Sequence, residues 1–195
     1  DMHIENVGGT VAMIERAKDL KEEKSQSFSV SADMYHRFGA FQTNLLIEGF
    51  YTRLTDVFVL GKPYDRGDGI LVKTRSNGPG AKVMGLTLEG KVAYLSILQI
   101  QAGLTLQRSR YDEPHKWHDD APAEKKIFRT PDTYGYFTAT CTPIKPLSIA
   151  LSGTYTGRML VQRMDITAEN AELGKMPERK AEAIRTPRFF DLGVK

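Results

Sequence analysis

Residues 96–111 read S-I-L-Q-I-Q-A-G-L-T-L-Q-R-S-R-Y, and the fold turns on how this stretch is read. In an extended chain, successive side chains point to opposite faces. Leu98, Ile100, Ala102, Leu104 and Leu106 therefore share one face, while Gln99, Gln101, Gly103, Thr105, Gln107 and Ser109 share the other. The alternation lasts about a dozen residues, whereas globular strands usually run ~5–6 and a tilted bilayer-crossing strand needs ~9–11. That length points to an apolar face that meets lipid.

The same pattern recurs on both sides of this stretch. In residues 27–35, Phe28, Val30, Ala32 and Met34 oppose Ser27, Ser29, Ser31 and Asp33. In residues 41–59, Leu45, Ile47 and Tyr51 oppose Asn44, Glu48 and Thr52, although Leu46, Phe50 and Leu54 spoil the alternation. Shorter runs follow at 70–75 and 81–89, then an aromatic-rich run at 133–142. Residues 147–161 set Leu147, Ile149, Leu151 and Tyr155 against Ser148, Ser152, Thr154 and Thr156. Phe190, Leu192 and Val194 alternate with Asp191, Gly193 and Lys195. Residues 10–24 are charged, with Val11, Ile14, Ala17 and Leu20 near helical spacing, which predicts a short surface helix capped by Thr10 or a loop leading into a strand.

Connections alternate in length. Short ones fall at 36–40, 90–95 and 143–146, and long polar ones at 61–69, 112–131 and 164–187, the last with a helical turn expected near Ala168. Short turns at one rim and long loops at the other are the signature of an outer-membrane barrel. Phe38, Phe41 and Tyr94 fall by the short turns, and Tyr111, Tyr134, Tyr136 and Tyr155 towards the long loops. Rings at two levels suit two membrane–water interfaces, although Tyr and Phe also simply favour strands. The expected architecture is all-β: up-and-down antiparallel strands forming part of a transmembrane β-barrel, with residues 1–26 as a loop or short helix and 27–195 as about seven strands.

Composition allows this and excludes other classes. The chain has 195 residues, 41% hydrophobic and 26% charged, with a net charge of +3. Mean hydropathy is −0.37, which a membrane barrel also gives, because half of each strand is polar. No Arg/Lys cluster is interleaved with stacking aromatics, so nucleic acid is not an expected partner. The single Cys141 excludes an internal disulfide framework and reads as a packing residue. There is no G-x-S-x-G, H-E-x-x-H or phosphate loop, so no enzyme is expected. Asp65 and Asp68 in the 61–69 loop lack the spacing of a calcium loop.

Several segments resemble TonB-dependent outer-membrane receptors of the Bacteroidetes type. Asp19-Leu20-Lys21-Glu22-Glu23-Lys24-Ser25 resembles the family's "dLkPEkS" lead-in, with Glu22 in place of Pro. Glu48-Gly49-Phe50-Tyr51-Thr52-Arg53-Leu54-Thr55-Asp56-Val57-Phe58 is similar to its "E-x-F-Y-T-x-L-x-D-x-F" strand. Asn77-Gly78-Pro79-Gly80-Ala81 with Gly85 and Glu89 resembles a further element, with Thr87 where Glu is common. Ala102-Gly103-Leu104-Thr105, Arg129-Thr130-Pro131-Asp132-Thr133-Tyr134-Gly135-Tyr136 and Gly153-Thr154-Tyr155-Thr156-Gly157 also fit. The resemblance implies a large barrel that imports a scarce solute, such as an iron–siderophore or corrinoid, across the bacterial outer membrane. Its partners would be membrane lipid and a TonB complex acting through a plug that has no counterpart in this chain. The chain is then expected to be a fragment or processed product from the later part of a barrel.

The polar side chains expected to face a barrel lumen are Asn44, Glu48, Gln99, Gln101, Gln107 and Thr154, with Thr87 and Glu89 beside them. Solute capture is expected of the long loops. His115, Trp117 and His118 cluster there, and Arg129 offers a cation for an anionic ligand, as do Arg108 and Arg110. A Trp face stacks on a ring or sugar, whereas a solvated loop is the plain alternative. No metal site and no cofactor is expected. The second functional reading is a soluble antiparallel β ligand-binding module, which would bury Leu98, Ile100, Leu104, Leu147, Ile149 and Leu151 together.

Overall fold

The computed structural model describes residues 3–7, 10–61, 64–67, 70–117, 121–166 and 179–195. In chain order, β1 (His3–Val7) and β2 (Thr10–Arg16) are followed by a long hairpin of β3 (Lys24–Phe38) and β4 (Phe41–Thr55). Three short strands come next: β5 (Phe58–Leu60), β6 (Tyr64–Asp65) and β7 (Leu71–Asn77). A second long hairpin pairs β8 (Ala81–Tyr94) with β9 (Leu98–His115), and β10 (Glu124–Lys126) follows. The third hairpin is β11 (Thr133–Ile144) and β12 (Leu147–Thr156). The chain then forms β13 (Leu160–Ile166), β14 (Arg179–Arg185) and β15 (Phe189–Val194).

Two compact units result. One comprises Asp1–Gln26 and Arg53–Ala81, the other Ser27–Thr52 and Lys82–Lys195. In the first, the strand order is β1-β2-β7-β5, with β6 on β7. β2 and β7 run parallel from Ala12 opposite Leu71 to Arg16 opposite Arg75. Ile14 and Val72 are both buried, one on each face of the sheet by register. Hence no helix forms at Thr10: the run Thr10-Val11-Ala12-Met13-Ile14 is rich in β-branched side chains, which favour a strand, and β7 supplies its partner. Residues 70–75 likewise belong to this small sheet and do not extend into the following long strand. Asp56, at φ +54°, ends β4 well short of the strand expected to reach residue 59.

The second unit is built on a seven-strand sheet in the order β15-β12-β11-β9-β8-β4-β3, with β10 on β9. Sequential long strands are neighbours, giving an up-and-down antiparallel meander. Short turns join each hairpin at residues 39–40, 95–97 and 145–146. Gly39 takes a left-handed φ of +60°, which a tight hairpin turn favours. These turns stand side by side: the Leu95 amide donates to the Ala40 carbonyl at 3.2 Å, and the Thr142 amide to the Ile97 carbonyl at 2.7 Å. The intervening connections are long and carry structure of their own. β9 runs on to His115 and β10 folds back onto it, while β12 stops at Thr156, short of the strand expected to reach residue 161, and β13 from Leu160 pairs with β14 inside the stretch expected to be a loop. The helical turn expected near Ala168 lies outside the described residues, as does Asp68.

Candidate functional site

Cross-strand register fixes which side chains share a face, because directly opposed residues project to the same side. On one face, Gln99 and Gln101 stand opposite Thr140 and Thr138, Gly103 opposite Tyr136, and Thr105 opposite Tyr134. The row continues onto β12 through Ser152, Thr154 and Thr156, and onto β15 through Gly193 and Asp191. On the other face, Leu98, Ile100, Ala102 and Leu104 align with Cys141, Ala139, Phe137 and Gly135, and then with Ile149, Leu151 and Gly153. Val194, Leu192 and Phe190 complete that side.

Along the later half of β9 the exposure of the two faces is the reverse of a soluble sheet. Leu104 and Leu106 are 44% and 49% exposed, whereas Thr105 and Ser109 are 6% and 3%. Ile149 and Leu151 are also open. The burial that a soluble module requires of this stripe is not found. Aromatic rings fill glycine gaps on both sides. Phe137 lies across Gly153 and stacks on Phe190 at 6.0 Å, and Tyr136 lies across Gly103. Any Cβ at Gly103 would meet the Tyr136 ring at 2.5 Å.

The polar face is linked by side-chain hydrogen bonds. Gln101 Nε2 donates to the Tyr136 hydroxyl at 2.9 Å, and the Thr87 and Thr105 hydroxyls lie 3.1 Å apart. Gln107 Nε2 donates to the Pro131 carbonyl at 2.9 Å. Ser27 and Thr52 hydroxyls meet at 3.0 Å, and Asn44 Nδ2 donates to the Asp33 carboxylate, which also accepts from Tyr35 at 2.9 Å. Gln99 and Thr154 lie on the same face by register, and Glu48 joins Asn44 and Thr52 by alternation along β4. Tyr136 and Asp33 were not singled out in the sequence as members of this network. Their cross-strand neighbours reveal them.

Rings mark one end of the sheet. Phe38 and Phe41 lie 5.7 Å apart and Phe41 and Tyr94 4.8 Å apart, next to the short turns. At the other end, Tyr111 and His115 lie 5.5 Å apart.

The described members of the expected loop cluster each have a partner of their own. His115 closes β9 opposite Glu124. Trp117 sets its ring edge-on to Phe128 at 6.2 Å, so part of its surface is used within the protein. Arg129 sits at φ +56° with its amide donating to the Leu160 carbonyl at 2.7 Å. His118 lies outside the described residues. No group of three His, Cys, Asp or Glu side chains suited to a metal occurs among the described residues. What the structure does assemble is a cleft of about 360 Å³ lined by Arg110, Glu124, Lys125, Lys126 and Arg185. Lys126 also pairs with Asp132, and Lys82 with Asp112 at 2.7 Å. Sequence reading missed this cleft because β10 and β14 lie in stretches that read as loop.

No protein-family model matches the sequence, and no curated protein matches it. Solved structures do. The FrpB iron transporter from Neisseria meningitidis, F3-3 variant, superposes with a TM-score of 0.57 at 16% identity, over 94% of this chain and 25% of that one. The F5-1 variant gives a TM-score of 0.56 at 18% identity, over 94% and 26%. The chain thus spans about a quarter of the length of these transporters. At this identity the likeness establishes the fold: antiparallel, up-and-down, of the outer-membrane transporter barrel type.

Proposed function

We propose that residues 27–195 form a section of an outer-membrane transport barrel, with residues 1–26 leading into it. The stripe from Leu98 to Leu106 faces hydrocarbon, and the Gln/Thr/Tyr face looks into the lumen. Nine residues climb roughly 27 Å along a strand, or about 21 Å along the membrane normal at a tilt of ~40°, which fills most of a ~25 Å apolar band. Bilayer hydrocarbon solvates apolar side chains and not charged ones, so exposure of leucines becomes favourable there.

The observation that carries this reading is the inversion on β9, where Leu104 and Leu106 are open and Thr105 between them is 6% exposed. The solute would be scarce and bulky, an iron–siderophore or corrinoid, and the likeness to iron transporters supports that class. Gln99, Gln101, Gln107, Asn44, Glu48 and Thr154 hydrogen-bond to water, solute or plug in the lumen. His115, Trp117, His118 and Arg129 contribute contacts from the long loops. Energy comes from a TonB complex through a plug outside this chain.

Cysteine labelling in a C141S background tests this. In vesicles, a lipid-soluble maleimide labels L104C and a membrane-impermeant one labels Q101C. Protection of L104C from both reagents would mean a soluble core.

A further inference from the structure

The apolar face is not uniformly filled. Phe28 and Val30 on β3, Met84 and Leu86 on β8, and Leu106 on β9 surround Gly49 on β4. Together they leave an open groove of about 700 Å³. A Cβ built at Gly49 meets nothing within 4 Å, so the glycine marks empty space rather than close packing.

Arg108 also lines this groove. It is the next side chain beyond Leu106 on the same face of β9, and Arg110 follows it at the rim of the basic cleft. Asp132, which also borders the groove, has its charge matched by Lys126. Arg108 forms no ion pair among the described residues.

An apolar trough with an unmatched guanidinium at one end matches an amphiphile with one anionic head. We infer that this groove holds a single membrane lipid, one acyl chain lying over Gly49 and its phosphate at Arg108. A guanidinium presents a planar fork of donors that fits phosphate oxygens. Most of the lining side chains belong to the face opposite the Gln/Thr/Tyr network, with Gln107 of that network at the border. The inference rests on the proposed bilayer setting of that face.

The test is native mass spectrometry of the protein in dodecyl maltoside, titrated with dioleoyl phosphatidic acid or with dioleoyl phosphatidylcholine. The wild type is expected to retain one phosphatidic acid with about tenfold preference, the worth of one charge-assisted hydrogen bond. R108Q should abolish the preference, lowering phosphatidic acid about tenfold and phosphatidylcholine by less. G49F should lower retention of both lipids at least about fivefold, since the added ring occupies the acyl chain's place. G49A, which fits the open space, should keep the fold and most of the binding. Equal retention by wild type, R108Q and G49F would overturn the inference, as would displacement of the lipid by inorganic phosphate. A protein that inserts into vesicles yet shows no lipid preference removes the groove alone. A protein that never inserts removes the barrel reading and the groove with it.

Discussion

In the small sheet, Ile14 on β2 and Val72 on β7 are 6% and 1% exposed, on opposite faces of the sheet by register. In the seven-strand sheet, Leu104, Ile149 and Leu151 stand open while Thr105 and Ser109 are sheltered. Both regions are β-structure made from the same residue types, and each is arranged for a different surrounding. In the small sheet, Ile14 and Val72 are removed from water by the ordinary area rule, while Phe58, Leu60 and Tyr64 on its short strands stay exposed. On the proposed reading, the open face of the long sheet meets hydrocarbon and not water. The long sheet joins three hairpins to antiparallel neighbours further along the chain, whereas the small sheet joins the adjacent β1–β2 pair to a parallel β2–β7 pair distant in sequence.

The sharpest way to break this contrast is to place a charge on each face of β9. L104R is expected to cost about 2–4 kcal/mol of folding stability in vesicles, and Q101R less than ~1 kcal/mol, read by urea titration. Equal costs would abolish the distinction between the faces. In the small sheet, V72A should cost about 2 kcal/mol through lost burial and a residual cavity. Amide exchange across β7 reads it, and the cost should not vary with lipid chain length. G103A forces the Tyr136 ring away from its seat and should cost ~1–3 kcal/mol by overpacking. In a Y136A background, most of that cost should vanish, because the two changes share one contact.

The smallest effect is titration in the small sheet. The Tyr64 hydroxyl donates to Glu15 Oε1 at 2.7 Å, and this bond holds the Tyr64 pKa above its ordinary value. The proton is bound more tightly in the folded state, so this contribution is complete below about pH 10 and fades as pH rises through the raised value. Exchange of β6 and β7 amides should accelerate above pH 10 in the wild type and lose that step in Y64F.

Much of the long sheet is legible in the sequence because alternation is a local signal. Leu98 to Ser109 declares two faces without knowledge of any partner, and Gly39 and Lys145-Pro146 mark turns between long strands. The small sheet is less legible. Thr10–Arg16 is charged at its end and near helical spacing, and it is held as a strand by β1 on one side and by β7, more than fifty residues away, on the other. The loop site is least legible. Trp117 reads as an open stacking face, and only the fold reveals Phe128 against it. Likewise Arg110, Lys125 and Arg185 look unrelated until β10 and β14 bring them to one cleft.

The bilayer setting of the open face is tested most directly by a nitroxide scan along β9, one residue at a time from Leu98 to Arg110, in phospholipid vesicles. Oxygen accessibility is expected to peak at 100, 102, 104 and 106 and accessibility to a charged nickel chelate at 99, 101 and 103, the two oscillating out of phase with a period of two. In-phase oscillation, with the chelate reaching the leucine side, would show that water and not lipid covers it.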